Sequence, residues 1–246
     1  MTDTSKKLNV LLTDRDCLLL LTLYENVTTS FYQIQNLFFR GKNHATAMNR
    51  LRQLEDAGYL SRTRIPRIRS WNGGREVGVV FQVTTKSLRM LQMKYQSENF
   101  VDKIPAINPL SLDHDLLIND IKPCIQRQFD NGKWINGRHL LDSRGYKKIP
   151  DAVIEFANSD RVIAIELELH TKSSIRYRQI ISEFRASSKI EKVIYVTASA
   201  QIDRKIISEL EGFQVPNGYK TKSEIFSFIQ LAELLGQTTH QSECLI

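Results

Sequence analysis

Hydrophobic positions along this chain follow two regimes: an opening stretch of helical period, then a stretch in which helices and strands alternate. Thr13 or Asp14 suits a helix N-cap, and Leu18, Leu21 and Tyr24 follow it at helical spacing. A shorter helix is predicted from Ser30 through Phe39, with Phe31, Ile34, Leu37 and Phe38 toward a core. Asn43 then caps a third helix to about Ala57, whose residues Ala47, Leu51, Leu54 and Ala57 form one inward stripe. Gly58 stands where a left-handed residue ends a helix. Tyr59-Leu60 opens an extended segment, Asn72-Gly73-Gly74 is a hairpin-type turn, and Val77–Thr84 is a strand leading into a helix from about Thr85.

The second regime begins after a spacer at 96–110, where Pro105 and Pro109 stop helices. Ser111 reads as the cap of a helix through about Phe129, with His114, Ile118, Ile121 and Ile125 on one face. Trp134–Leu141, Asp151–Phe156 and Val162–Leu169 read as three strands. A helix from Thr171 to about Ala186, a strand at Lys192–Thr197 and a helix at Asp203–Leu210 follow, and Phe226–Leu235 is predicted as a last helix. Such an order is an α/β pattern around a mixed sheet. The chain is therefore read as two domains, 1–95 and 111–246.

Charge sharpens the division. The net charge is +7, yet residues 1–95 hold 15 bases against 7 acids while residues 96–246 hold 19 against 20. The whole excess lies in the first domain, as a nucleic-acid footprint would place it. Three helices followed by a two-stranded ribbon make a winged helix-turn-helix. Its third helix offers Thr46, Asn49, Arg50 and Arg52 to a major groove, and Arg40, Lys42, Arg62, Arg64, Arg67, Arg69 and Arg75 lie where phosphates would be met. Double-stranded DNA is the partner this predicts; a solvated basic face or a protein-docking wing is the bland alternative. The pattern "RLRQLEDAGYLSR … VFQVTTKSLRML" resembles the recognition helix and wing of many bacterial DNA-binding regulators, over roughly residues 12–95.

Candidate chemistry is concentrated in the second domain. Pro150-Asp151 starts one strand and Glu166-Leu167-Glu168 sits near the end of the next. Two residues apart, Glu166 and Glu168 point to the same side of their strand, opposite Ile163, Ile165, Leu167 and Leu169, and Ala164 leaves room beside them. A hairpin pairing would bring Asp151 to that pair. Carboxylates crowded into a partly buried cleft repel one another unless a cation neutralises them, and oxygen ligands suit Mg²⁺ or Mn²⁺. Acid–x–acid on a surface strand is also a common solvated pattern.

These residues resemble the core of PD-(D/E)xK nucleases, over residues 111–197. That resemblance implies metal binding by Asp151 and Glu166, and it implies a lysine where this chain has Glu168. Lys172 would supply the missing cation, or Glu168 would be an added ligand. Taken with the first domain, "LDHDLLINDI", "IPDAVIEF" and "AIELELHTKSSIRYRQII" resemble the replication-relaxation proteins and the related MOBC-class mobilisation relaxases of plasmids. The resemblance implies a mobile-element protein that recognises an origin of transfer and nicks one strand, with His114 near the site and accessory mobilisation proteins as further partners. By itself His114 reads equally as a hydrogen-bonded core residue. Arg176 and Arg178 flank Tyr177, and all three are candidate phosphate contacts. Tyr177 also raises covalent nicking, but the five histidines form no HxH pair, so hydrolysis by metal-activated water is the more economical expectation.

Several classes fall away. There is no Walker A loop, GxGxxG, GxSxG or zinc-spaced cysteine set. Cys17, Cys124 and Cys244 are scattered, the apolar runs are too short for a bilayer, and the first residues lack the apolar stretch of a secretory leader, so a cytoplasmic location is expected. An oligomer is compatible with the sequence. Three functions remain: a metal-dependent nicking relaxase, a DNA-binding regulator whose nuclease-like domain has lost its chemistry, and a restriction-type nuclease cutting both strands.

Overall fold

A computed structural model describes residues 10–69, 76–96, 100–140, 146–212 and 225–241. Among them the chain is mixed α/β, with eight helices and two sheets. It divides into two compact units, Met1–Asn119 and Asp120–Ile246.

In the first unit α1 (Asp14–Asn26), α2 (Phe31–Phe38) and α3 (His44–Asp56) precede the strands β2 (Leu60–Arg69) and β3 (Glu76–Val83), and α4 (Thr85–Lys94) follows. Local chemistry sets the helix ends. Thr13 and Ser30 form capping boxes with Asp16 and Gln33, and Asn43 Oδ1 accepts the Thr46 N–H at 2.8 Å. Gly58, at φ +75°, closes α3: its N–H donates to Glu55 O and that of Tyr59 to Leu54 O, both at 2.8 Å, the paired bonds of a Schellman end.

The core differs in detail from the spacing. Leu19, Leu20, Leu23 and Tyr24 are the buried stripe of α1, while Leu18 is exposed; on α2 Phe31 and Ile34 are buried and Leu37 is exposed. The three-stranded sheet has the order β1-β3-β2, because Thr29–Ser30 adds a short β1 that no periodicity announced. One sheet face, through Leu60, Phe81 and Val83, joins the helical core. Val77 and Val80 form a second cluster with Leu112 and Leu116, with Ile65 and Ile107 packed beside it. Residues between 100 and 119 thus pack onto this unit: the Val101 N–H donates to Tyr24 Oη at 2.7 Å, and the Gln82 amide to Pro105 O at 3.0 Å. The division falls at Asn119/Asp120, inside α5 (Leu112–Gln126), beyond the spacer read at 96–110. The Asn72-Gly73-Gly74 turn, with Arg75, lies outside the described residues.

The second unit holds a five-stranded sheet in the order β4 (Gly132–Asn136), β5 (Ala152–Phe156), β6 (Val162–Glu168), β7 (Ile190–Thr197) and β8 (Phe226–Gln230). β4, β5 and β6 are antiparallel; β6, β7 and β8 are parallel. The helices α6 (Ser174–Arg185) and α7 (Ala200–Glu211) lie on one face, where Tyr177, Ile180, Ile181, Phe184, Ile202 and Ile206 meet Val153, Ala164, Val193 and Tyr195. Phe226–Gln230, read from sequence as the start of a helix, is a strand, and α8 (Leu231–Gln241) begins only after it. Phe226 and Phe228 stack against Tyr195 at 6.2 and 5.6 Å, so pairing with β7 overrides the local pattern. Among the described residues no helix is long and apolar enough to cross a membrane.

Candidate functional site

Register brings the three sequence-selected acids together. β5 and β6 pair Ala152 with Ile165 and Val153 with Ala164, and Asp151, immediately before β5, reaches the backbone of Leu167 between the two glutamates. β6 and β7 pair Glu166 with Tyr195 and Glu168 with Thr197. Side chains of paired residues leave the same face of a sheet, so Glu166 and Glu168 share with Tyr195 the face that carries α6 and α7. Glu166 and Glu168 are each 2 % exposed. The partly buried Asp151 accepts the Leu167 N–H on Oδ2 at 2.8 Å, which holds it between the two glutamates along the strand. Gly137 makes this placement possible. Its N–H donates to Asp151 O at 2.8 Å, and a Cβ there would lie 2.0 Å from Pro150 O.

Two lysines neutralise the glutamates. Lys172 Nζ donates to Glu168 Oε1, four residues back in sequence at the end of β6. Lys148 Nζ donates to Glu166 Oε1 and lies 4.7 Å above the Phe184 ring. Burial raises the Glu166 carboxyl to about 7; the negative Asp151 adds to that effect and Lys148 opposes it. Burial also raises Glu168, against the pull of Lys172. Tyr195 is driven well above its ordinary value by burial and then by the charges of Glu166 and Glu168. Its hydroxyl is buried and, among the described residues, has no hydrogen-bond partner.

The polar row continues along the carboxyl ends of the parallel strands. Glu168, Thr197 and Gln230 are aligned by register. Thr197 Oγ1 donates to Asp203 Oδ1 at 2.5 Å, and the Gln230 amide donates to Asp203 Oδ2. Lys148, Tyr195, Thr197, Asp203 and Gln230 were all missed by sequence reasoning. Lys148 had a signal, its place three residues before Asp151; the others are united only by strand pairing.

The ligand chemistry expected of this cluster requires one qualification. Among the described residues no group of three or more His, Cys, Asp or Glu side chains is arranged to hold an ion. The carboxylates are turned elsewhere: each glutamate toward an ammonium, Asp151 toward the Leu167 N–H. In kind, however, the donors suit a hard divalent cation, being carboxylate oxygens under mutual repulsion beside an orphaned buried hydroxyl.

The remaining residues selected from sequence are dispersed. His114 is half-buried on α5 within the first unit, 3.8 Å from Asp115 Oδ1. Tyr177 is wholly buried beneath the sheet and its hydroxyl accepts the Lys172 N–H at 3.1 Å, so it is a packing residue rather than a phosphate contact. Arg178 is bound to Glu209 at 2.7 Å, bracing α6 against α7, with Lys205 on the other oxygen. Arg176 is exposed and bonds Gln179 at 3.0 Å.

On the first unit Arg40, Lys42, Thr46, Asn49, Arg52, Arg62 and Arg64 are exposed. Arg62 leans on Glu55 at 3.2 Å, which ties the base of β2 to α3. Arg50 departs from expectation. Its Nε and Nη2 clamp the fully buried Asp16 at 3.0 and 2.5 Å, and Nη2 also donates to Leu11 O at 2.9 Å. It is an internal brace between α3 and α1, not a groove-facing side chain. Arg67 and Arg69 lie in β2 with side chains outside the described set.

Fold and site together define a class: a mixed α/β protein of two units, the first with 16 bases against 11 acids, the other carrying a buried acidic cluster at the end of a mixed sheet. The family model described as Replication-relaxation matches residues 20–191, and the chain belongs to that family. Comparisons with curated proteins and with solved structures gave no match.

Proposed function

We propose that this protein is a DNA relaxase of a mobile element, which binds duplex at an origin of transfer and nicks one strand by metal-dependent hydrolysis. In this reading the first unit is a winged helix, whose α3 enters the major groove through Thr46, Asn49 and Arg52 while Arg40, Lys42, Arg62 and Arg64 meet phosphates. The second is a PD-(D/E)xK-type nuclease domain. Family membership supports a role in replication or mobilisation.

The observation that carries the catalytic part is the convergence of Asp151, Glu166 and Glu168 on one sheet face beside two lysines. Asp151, Glu166 and Glu168 would hold Mg²⁺ or Mn²⁺. Such an ion supplies a polarised phosphodiester and a water of lowered pKa. Lys172 and Lys148 provide the positive charge that faces the scissile phosphate, and the α6–α7 core excludes water from one side of the cluster.

A second reading has its own support. The lysines already sit on both glutamates and no ready ion cage exists among the described residues, as suits a regulator whose nuclease-like domain serves docking. The test is incubation of the purified protein with Mg²⁺ or Mn²⁺ and a supercoiled plasmid carrying its own origin. The relaxase reading expects open circles from wild type, none from Asp151→Ala or Glu166→Ala, and equal DNA affinity in all three. An intact plasmid in every case supports the regulator.

A further inference from the structure

Both glutamates of the acidic cluster are neutralised by ammonium groups of the chain itself. Lys148 Nζ occupies Glu166 Oε1 and Lys172 Nζ occupies Glu168 Oε1. The two lysines are held differently. Lys148, 14 % exposed, makes two further contacts besides Glu166, to Ile149 O at 3.5 Å and to the Phe184 ring. Lys172 has its backbone fixed by Tyr177 Oη, but its side chain is 39 % exposed and reaches solvent. A divalent cation and an ammonium compete for the same oxygen, because each requires its lone pairs and together they set like charges a few ångström apart.

We propose that Lys148 and Lys172 are built-in counter-ions, displaced from Glu166 and Glu168 when a divalent cation binds, with the more exposed Lys172 thereby released toward the phosphate backbone. That no open ion cage stands among the described residues then follows from the lysines and not from a lack of ligands. Lys172 has somewhere to go, outward into solvent, where a phosphate would receive it; Lys148 keeps the Phe184 and Ile149 contacts that it already makes. Ion and DNA backbone therefore reinforce one another, since each favours the state in which the lysines have left the glutamates. This inference rests on the reading of Asp151, Glu166 and Glu168 as ion ligands.

Calorimetric titration of the full chain with Mn²⁺ alone, at pH 8 and without DNA, tests it. Lys148→Met and Lys172→Met are expected to bind Mn²⁺ about tenfold more tightly than wild type, because the repulsion between ion and ammonium is gone. Lys172→Arg, which keeps the charge, is expected to stay near the wild-type affinity. Circular dichroism melts of each variant show whether it is folded, and the more exposed Lys172→Met carries the test if Lys148→Met is not. Wild-type or weaker Mn²⁺ affinity in the methionine variants overturns the counter-ion role alone, provided that Glu166→Gln abolishes binding. Mn²⁺ binding that survives Glu166→Gln unchanged, or that is absent from every form, overturns the ligand reading and the inference together.

Discussion

Replacing Arg50 by alanine separates an internal brace from a DNA contact. The Arg50 guanidinium makes two bonds to Asp16, a third to Leu11 O at 2.9 Å and a fourth to Gln53 at 2.8 Å. Asp16 is fully buried and Arg50 is 19 % exposed, so the pair is only weakly screened. Breaking a buried pair by removing one partner costs about 3–5 kcal/mol, since the other charge is stranded. Asp16 keeps two bonds from Thr13, at 2.8 Å to the N–H and 2.6 Å to the hydroxyl, which lowers the expectation to about 2–4 kcal/mol. For a unit of this size that is a fall of about 10 °C in Tm. The sign with pH is defined too. Asp16 titrates below its ordinary 3.8: burial alone would raise it, but the Arg50 and Thr13 bonds outweigh that. The pair's contribution is thus present above 3.8 and lost as pH falls through the lower folded value. Thermal melts by circular dichroism, paired with fluorescence anisotropy on duplex DNA, read both properties. If Arg50→Ala melts with wild type and loses DNA affinity as a surface arginine would, the brace assignment is refuted.

Four further outcomes are expected. Arg52→Ala and Arg64→Ala should leave Tm within about 1 °C while each lowers the slope of log K against log salt by about 0.9, measured by anisotropy across a salt series; an unchanged slope removes them from the interface. Without divalent ions, stability should fall as pH rises from 4.5 to about 7, on the order of 3 kcal/mol, because folding holds the Glu166 proton more tightly in that window. Urea melts of Glu166→Gln should lose this slope, and a slope equal to wild type would contradict the assignment. Gly137→Ala should destabilise by about 3 kcal/mol and, on the relaxase reading, abolish nicking, because its Cβ would meet backbone oxygens of Pro150 and Asp151 at 2.0 and 2.9 Å; wild-type stability in this variant would show that Asp151 need not be held there. Lys205→Ala should release Glu209 from its value of about 2, which Lys205 sets first and Ser174 and Arg178 reinforce, and a carboxyl resonance still titrating near 2 would refute it.

What the sequence by itself determined is what depends on neighbours within a few residues. Thr13, Asn43 and Gly58 act on backbone groups one turn away, so their roles as caps and terminator follow from side-chain type and spacing. The two-residue period of a strand likewise made it legible that Glu166 and Glu168 share a face with Ala164 and oppose Leu167. Only the tertiary structure decided the partners. Arg50 looked like a groove-facing base because its buried acid, Asp16, lies 34 residues away on α1. Lys148 went unremarked in the sequence, and only the folded chain sets it on Glu166, 18 residues away. Phe226–Gln230 looked helical because its strand partner is β7, and Tyr195, Thr197, Asp203 and Gln230 meet through that same pairing. Long-range pairing and burial select one partner among many of the same type, and that selection is made by the packed chain, where the free energy of contact is realised, rather than by any local run of residues.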